Sequence, residues 1–260
     1  MRRSLLLFLL ALAPLAGQKG ILLEDLTWPE AEKVLKPDTV IVIPIGAESK
    51  EHGPHLKLRN DFVMAEYFKK RLLERAAVVV APTVNYHYYP AFLQYPGSTS
   101  LRLETARDVL VDICRTLSAY GPKRFYALNT GVSTMAPLKL SAEMLASDGI
   151  LFRYTNILEV GAEAEKKIKQ EEGGTHADEI ETSLMLYIDP GSVDMSKAVR
   201  DYHPHGKGGL TRDPNKPGTY SPSGVYGDAT LATREKGETM ANAMLTGMLR
   251  EIEELRAAKP

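Results

Sequence analysis

Two stretches of this chain are apolar at nearly every position, not at alternate ones: Asp38 to Gly46 (DTVIVIPIG) and Ala76 to Val84 (AAVVVAPTV). A strand with one wet face alternates apolar and polar residues. These do not, so both of their faces must be covered, as in a parallel sheet sandwiched by helices. The segment between them, Asp61 to Arg75, reads as such a helix, with apolar Phe62, Val63, Ala65, Phe68 and Leu72 and Asn60 or Asp61 as a cap.

The alternation continues along the chain. A helix is predicted over Glu104 to Tyr120, stopped by Gly121-Pro122, followed by a strand over Lys123 to Asn129. A helix over Ala136 to Ser147, a strand over Ile150 to Leu158, and a helix over His176 to Ile188 stopped by Pro190 come next. Tyr202 to Gly227 has no periodicity and reads as a long loop. Ala229 to Ala258 forms a closing helix with a flaw at Gly237. The pattern predicts an α/β fold with a mostly parallel central sheet and helices on both faces. No linker or repeat divides residues 18–260, which are expected to form one domain.

Composition narrows the chemistry. Lys plus Arg is 32 and Asp plus Glu is 33, a net charge of −1 over 260 residues. That balance argues against a nucleic-acid partner held by a broad basic surface. With one cysteine, Cys114, the chain forms no internal disulfide and no cysteine-based zinc site. Any metal must be held by His, Asp and Glu. The first 17 residues stand apart: Arg2 and Arg3, an apolar run from Leu5 to Leu15 broken by Pro14, then Ala16 and Gly17. This is the order of a secretory signal peptide, and the run is short of the about 20 residues a span needs. Export to the periplasm or the outside, with no stable membrane span in the mature form, is the expectation.

Sheets of this class bind ligands outside the carboxyl ends of their strands. The segment after the first strand gathers Glu48, Glu51, His52, His55 and Asp61. Glu, His and Asp suit zinc, manganese or iron. The same residues have plainer roles open to them: Asp61 as a helix cap, His55 as a loop hydrogen bonder, Glu48 and Glu51 as solvated charges.

The run GAESKEHGPHLKLRND resembles the creatininase (creatinine amidohydrolase) family signature, E-x-H-G-x-H-L-x-L-x-x-D. YPGSTSL from Tyr95, THADEIETSLML from Thr175 and GVYGDATLATREKGE from Gly224 are similar to further family motifs, in the same order. The resemblance implies a three-layer fold and a two-metal amidohydrolase, usually zinc with manganese or iron, often assembled as a homo-oligomer such as a hexamer. It implies His52 as a ligand of one metal, Asp61 as the carboxylate bridging both, His176 beside the substrate and Glu181 as the carboxylate of E-T-S. Paired metals polarise an amide carbonyl and lower the pKa of bound water, and a histidine protonates the leaving nitrogen. No G-x-S-x-G elbow is present, which argues against acyl-enzyme chemistry.

The chain departs from that pattern twice. The family's leading glutamate stands two residues before the histidine, where this chain has Lys50. Glu51 is the expected replacement ligand and Glu48 the second choice. The family's third strand ends in N-G-H-x-x-N, and Gly131 stands where its ligand histidine would be. His87, His203 and His205 are the remaining histidines that could compensate. His176 raises a further question, because on a regular helix it faces Glu179 and not Glu181. The expected activity is hydrolysis of a non-peptide C–N bond, of cyclic amide or formamide type, by one or two divalent ions held by Glu51, His52 and Asp61, with His176 and Glu181 assisting. The second reading is an exported, catalytically impaired or mononuclear protein of the same fold that binds a small molecule.

Overall fold

The computed structural model describes residues 19–204 and 206–259, so the expected signal segment and His205 lie outside the described residues. Five parallel strands form the central sheet: β1 (Ile21–Leu22), β2 (Val40–Ile45), β3 (Val79–Val80), β4 (Arg124–Asn129) and β5 (Leu151–Tyr154), in the order β1-β3-β2-β4-β5. Helices α1 (Trp28–Val34), α2 (Asn60–Arg75), α3 (Leu103–Ser118), α4 (Met135–Ala146), α5 (Ala162–Ile168), α6 (Glu179–Ile188) and α7 (Arg234–Ala257) pack around it. The α/β class and the sheathed parallel sheet agree with the sequence expectation.

β2 explains the architecture. All of its residues are buried. Val40 and Val42 face a core shared with Phe68 and Leu72 of α2, Leu184 of α6 and Met244 and Met248 of α7. Ile41, Ile43 and Ile45 face the opposite core, with Leu110 and Cys114 of α3 and Leu138 and Leu145 of α4. Each such side chain contributes about 1.5–3 kcal/mol by leaving water, so the strand is anchored from both sides.

The expected strand at 76–84 is shorter, at Val79–Val80. Ala81 and Val84 still donate to Val42 and Pro44 (2.8 and 2.9 Å), but Pro82 between them has no N–H to continue the ladder. The fourth strand likewise spans only Leu151–Tyr154. The closing helix begins at Arg234 on a Thr233 cap, after a 3-10 turn at Ala229–Leu231. Gly237 is a packing requirement: a Cβ there would collide with the Ser183 backbone, so glycine lets α7 cross α6 closely. The long loop is closed off by the pair β6 (Arg200–Asp201) and β9 (Gly227–Asp228) and carries the short strands β7 (Leu210–Thr211) and β8 (Thr219–Tyr220). No helix among the described residues is long and apolar enough to cross a membrane.

β3 leaves β2 on one side and β4 joins it on the other, with register Val40↔Arg124 through Ile45↔Asn129. The crevice where an open sheet binds ligands therefore lies at the carboxyl end of β2. There Gly46 meets the first turn of α2, and a Cβ at Gly46 would overlap the Asp61 backbone. Replacing Gly46 with Ala is expected to lower the free energy of unfolding by about 1–3 kcal/mol, read as a shifted urea midpoint at unchanged slope.

Candidate metal centre

Helix α2 starts with no side-chain cap, although Asn60 and Asp61 both lie in its first turn. Neither serves as the cap that sequence suggested. Asp61 is turned into the crevice and is 1% exposed. Its Oδ1 is 2.8 Å from His52 Nε2 and its Oδ2 is 2.8 Å from Lys50 Nζ. Burial alone would raise its pKa, but the Lys50 and His52 charges hold the carboxyl well below the ordinary aspartate range. Asn60 Nδ2 donates to Glu181 Oε1 at 2.9 Å, which ties α2 to α6.

His52 Nδ1 lies 2.9 Å from the Lys50 carbonyl, which only accepts, so Nδ1 carries the proton. Nε2 lies at hydrogen-bond distance from Asp61 Oδ1, 2.8 Å, and 3.4 Å from Glu181 Oε1. One imidazole nitrogen and two carboxylate oxygens thus converge on one point, a donor set that suits a divalent ion. Donor atoms of His52, Asp61 and Glu181 all lie within 4.8 Å of one another. Ligands about 2.1 Å from a tetrahedral ion are separated by roughly 3.4 Å, so the trio fits a divalent ion with little movement. The backbone carbonyl behind His52 is the usual outer partner of a ligating imidazole. Asp61 Oδ2 has no well-angled hydrogen bond, and its partner on that side is the Lys50 charge.

His176 lies just outside α6. Asp178 is the helix cap, accepting from the amides of Ile180 and Glu181, so the helix starts at Glu179 and not at His176. An antiparallel bridge to Tyr226 fixes the His176 backbone. Its Nε2 donates to Glu51 Oε1 at 2.8 Å, its Nδ1 is 3.6 Å from Glu181 Oε2, and its ring lies 4.4 Å from Phe92. Glu179 is instead paired with Lys236. Ala177 has φ of 48°, a left-handed conformation that costs a residue with a Cβ about 1–2 kcal/mol. That turn points the Ala177 amide at Glu181 Oε2, 2.6 Å away.

Sequence named Glu51, His52 and Asp61 as ligands and His176 and Glu181 as assistants. The structure brings all of these side chains into one crevice but exchanges two of them. Glu181 stands beside His52 and Asp61. Glu51 is held by His176 and by the Gly53 amide (2.8 Å), because the turn at Gly53 folds its carboxylate toward the His176 loop. Burial would raise the Glu51 pKa, and the His176 contacts outweigh it and lower it. Glu48 is bound by Asn85 away from the site. His55 pairs with Thr182 at 2.8 Å and links the loop to α6. His203 pairs with Asp201, and His87 is enclosed elsewhere.

Beside the trio lies a cavity of about 330 Å³ lined by Lys50, Tyr89, Phe92, Gly131, His176 and Glu181, among others. Of the tyrosines between Tyr86 and Tyr89, Tyr89 lines the cavity, while Tyr86 is exposed. Sequence reasoning missed Lys50, Asn60 and Phe92. The displaced glutamate position was the available signal for Lys50. The other two show themselves only through contacts remote in sequence.

Residues 24–252 match the creatininase family model, described as creatinine amidohydrolase. The chain is 28% identical to the creatinine amidohydrolase of Pseudomonas putida over 91% of its own length and 97% of that protein's. It is 25% identical to the mycofactocin precursor peptide peptidase of Mycolicibacterium smegmatis, over 80% and 82% of the two chains. A solved structure titled creatininase Mn superposes with a TM-score of 0.77 at 25% identity, over 92% of this chain and all of that one.

His87 generates a pH prediction. Neither ring nitrogen has a well-formed hydrogen bond, and burial pushes its pKa down to about 4. Between pH 6.5 and 4 the unfolded chain binds a proton there that the folded chain does not. The stability this group permits is therefore complete above pH 6.5 and falls as pH drops toward 4. A His87→Leu variant should lose about 2 kcal/mol less than the parent between pH 7 and pH 5, measured by urea unfolding at both values.

Proposed function

Because the chain belongs to the creatininase family, we propose that it is a metal-dependent hydrolase cleaving the C–N bond of a small non-peptide amide, of cyclic amide or formamide type. One observation carries this reading: the buried convergence of His52 Nε2 with the carboxylates of Asp61 and Glu181, a donor set suited to a cation. Zinc, with manganese or iron as alternatives, suits the nitrogen and oxygen donors. A divalent ion held there supplies Lewis-acid polarisation of a carbonyl and lowers the pKa of water.

The chain's own residues supply the rest. His176 borders the cavity with Glu51 on one nitrogen and Glu181 near the other, so it can hold a proton and deliver it to a leaving nitrogen. Asn60 and the Ala177 amide fix the Glu181 carboxylate, and the Lys50 carbonyl fixes the His52 tautomer. Phe92 and Tyr89 give the cavity apolar walls, and its volume suits a small molecule. The peptidase among the relatives makes a peptide amide the main competing substrate. Export through the N-terminal segment and assembly into a homo-oligomer belong to the same reading, supported by the Arg2 to Gly17 pattern and by the family resemblance.

The second reading, a small-molecule binder without turnover, is favoured by Gly131 where the family keeps a ligand histidine. One assay separates the two. The purified protein is expected to hydrolyse a member of a panel of cyclic amides and formamides. Chelation, His52→Ala and Asp61→Asn are each expected to reduce metal content and to lower kcat/KM by at least about 100-fold. Tight binding of an amide without turnover, unaffected by these changes, would favour the binder.

A further inference from the structure

The resemblance implies two cations astride Asp61, and the structure shows a different partner on one side. We propose that the Lys50 ammonium occupies the place of the second cation, so that this chain holds a single divalent ion at His52, Asp61 and Glu181. The inference rests on the metal-dependent reading above and specifies its stoichiometry.

The two Asp61 oxygens divide the work. Oδ1 faces His52 Nε2 and the trio, while Oδ2 faces Lys50 Nζ at 2.8 Å. Lys50 is 4% exposed, which requires its charge to be answered locally. The wall beyond the amine consists of aromatic rings: Nζ lies 4.6 Å from the Phe92 ring centre and 5.7 Å from that of Tyr89. Ring faces stabilise an ammonium and make poor partners for a divalent ion that needs oxygen or nitrogen ligands. Gly131, which lines the same cavity, offers no side-chain ligand. A Cβ there would already lie 3.2 Å from Thr134 Oγ1 and 3.8 Å from the Tyr89 ring, so the position of the missing histidine side chain is partly filled.

Charge counting points the same way. Asp61, Glu181 and Glu51 bring three negative charges to the crevice; Asp61 pairs directly with Lys50, and the other two lie near enough to attract its charge. One divalent ion plus the lysine balances them. A second divalent ion would leave a buried surplus of two positive charges, which is costly in a low-dielectric crevice.

The test counts ions and needs no substrate. The purified protein is saturated with Zn(II) or Mn(II), passed through a desalting column and analysed by plasma mass spectrometry, with electron paramagnetic resonance on the Mn(II) form. One ion per chain, with the hyperfine pattern of isolated Mn(II), is expected. Lys50→Glu exchanges the ammonium for a carboxylate and should raise the count toward two, with a spin-coupled Mn(II) signal. Two ions in the parent protein would overturn the inference and leave the metal-dependent reading standing. No bound ion would overturn both. A folded Lys50→Glu protein that stays at one ion would refute the role given to the ammonium. If that variant does not fold, the parent count alone decides.

Discussion

A carboxylate taken out of water must be answered by positive charge or by hydrogen bonds, and Asp61 is almost completely enclosed. Its place in the first turn of α2 offers the favourable end of a helix dipole, worth up to about 2 kcal/mol when partly buried. The remainder of the answer comes from His52 and Lys50, on the loop that joins β2 to that helix. Removing one partner of a buried pair typically costs about 3–5 kcal/mol, so this loop is held as firmly as a core element. Gly46 makes the arrangement possible by letting the strand end touch the helix backbone.

Two helix starts converge on the crevice and treat their acids differently. On α6, Asp178 satisfies the free amides, which leaves Glu181 in the same turn available to face His52. On α2 no side chain takes the capping role, and both polar residues of the first turn point into the site. An uncapped start forgoes about 1 kcal/mol of helix stability. Together with the left-handed Ala177, it places two small local costs at the same spot, a pattern associated with functional sites.

The central sheet was legible because strands buried on both faces leave an unbroken apolar run, which neither a half-wetted strand nor a surface helix produces. The parts that escaped were short or carried little pattern. α1 and α5 bury no residue fully, and β1 has only two residues at the sheet edge. Within the site, His52, Asp61, His176 and Glu181 were nameable in advance. The direction in which Glu51 points was not, since the choice between His52 and His176 is made by a segment 125 residues away. Sequence marks Lys50 only as a break in the ligand pattern, and its role as a charge partner depends on Phe92, Tyr89 and Asp61 meeting in space. Spacing along a chain carries no record of such a meeting.

The tie between Glu51 and His176 also bears on when the crevice comes into being. Its partners are 125 residues apart, and the bridge from His176 to Tyr226 reaches further along the chain still. Contacts of such long sequence separation form late, after loop-closure entropy has been met by earlier packing. Neither β2 with α2 nor any early fragment holds the whole donor set. The donor set is complete only in a chain whose second half has already docked, which makes the crevice a late product of folding and not its nucleus.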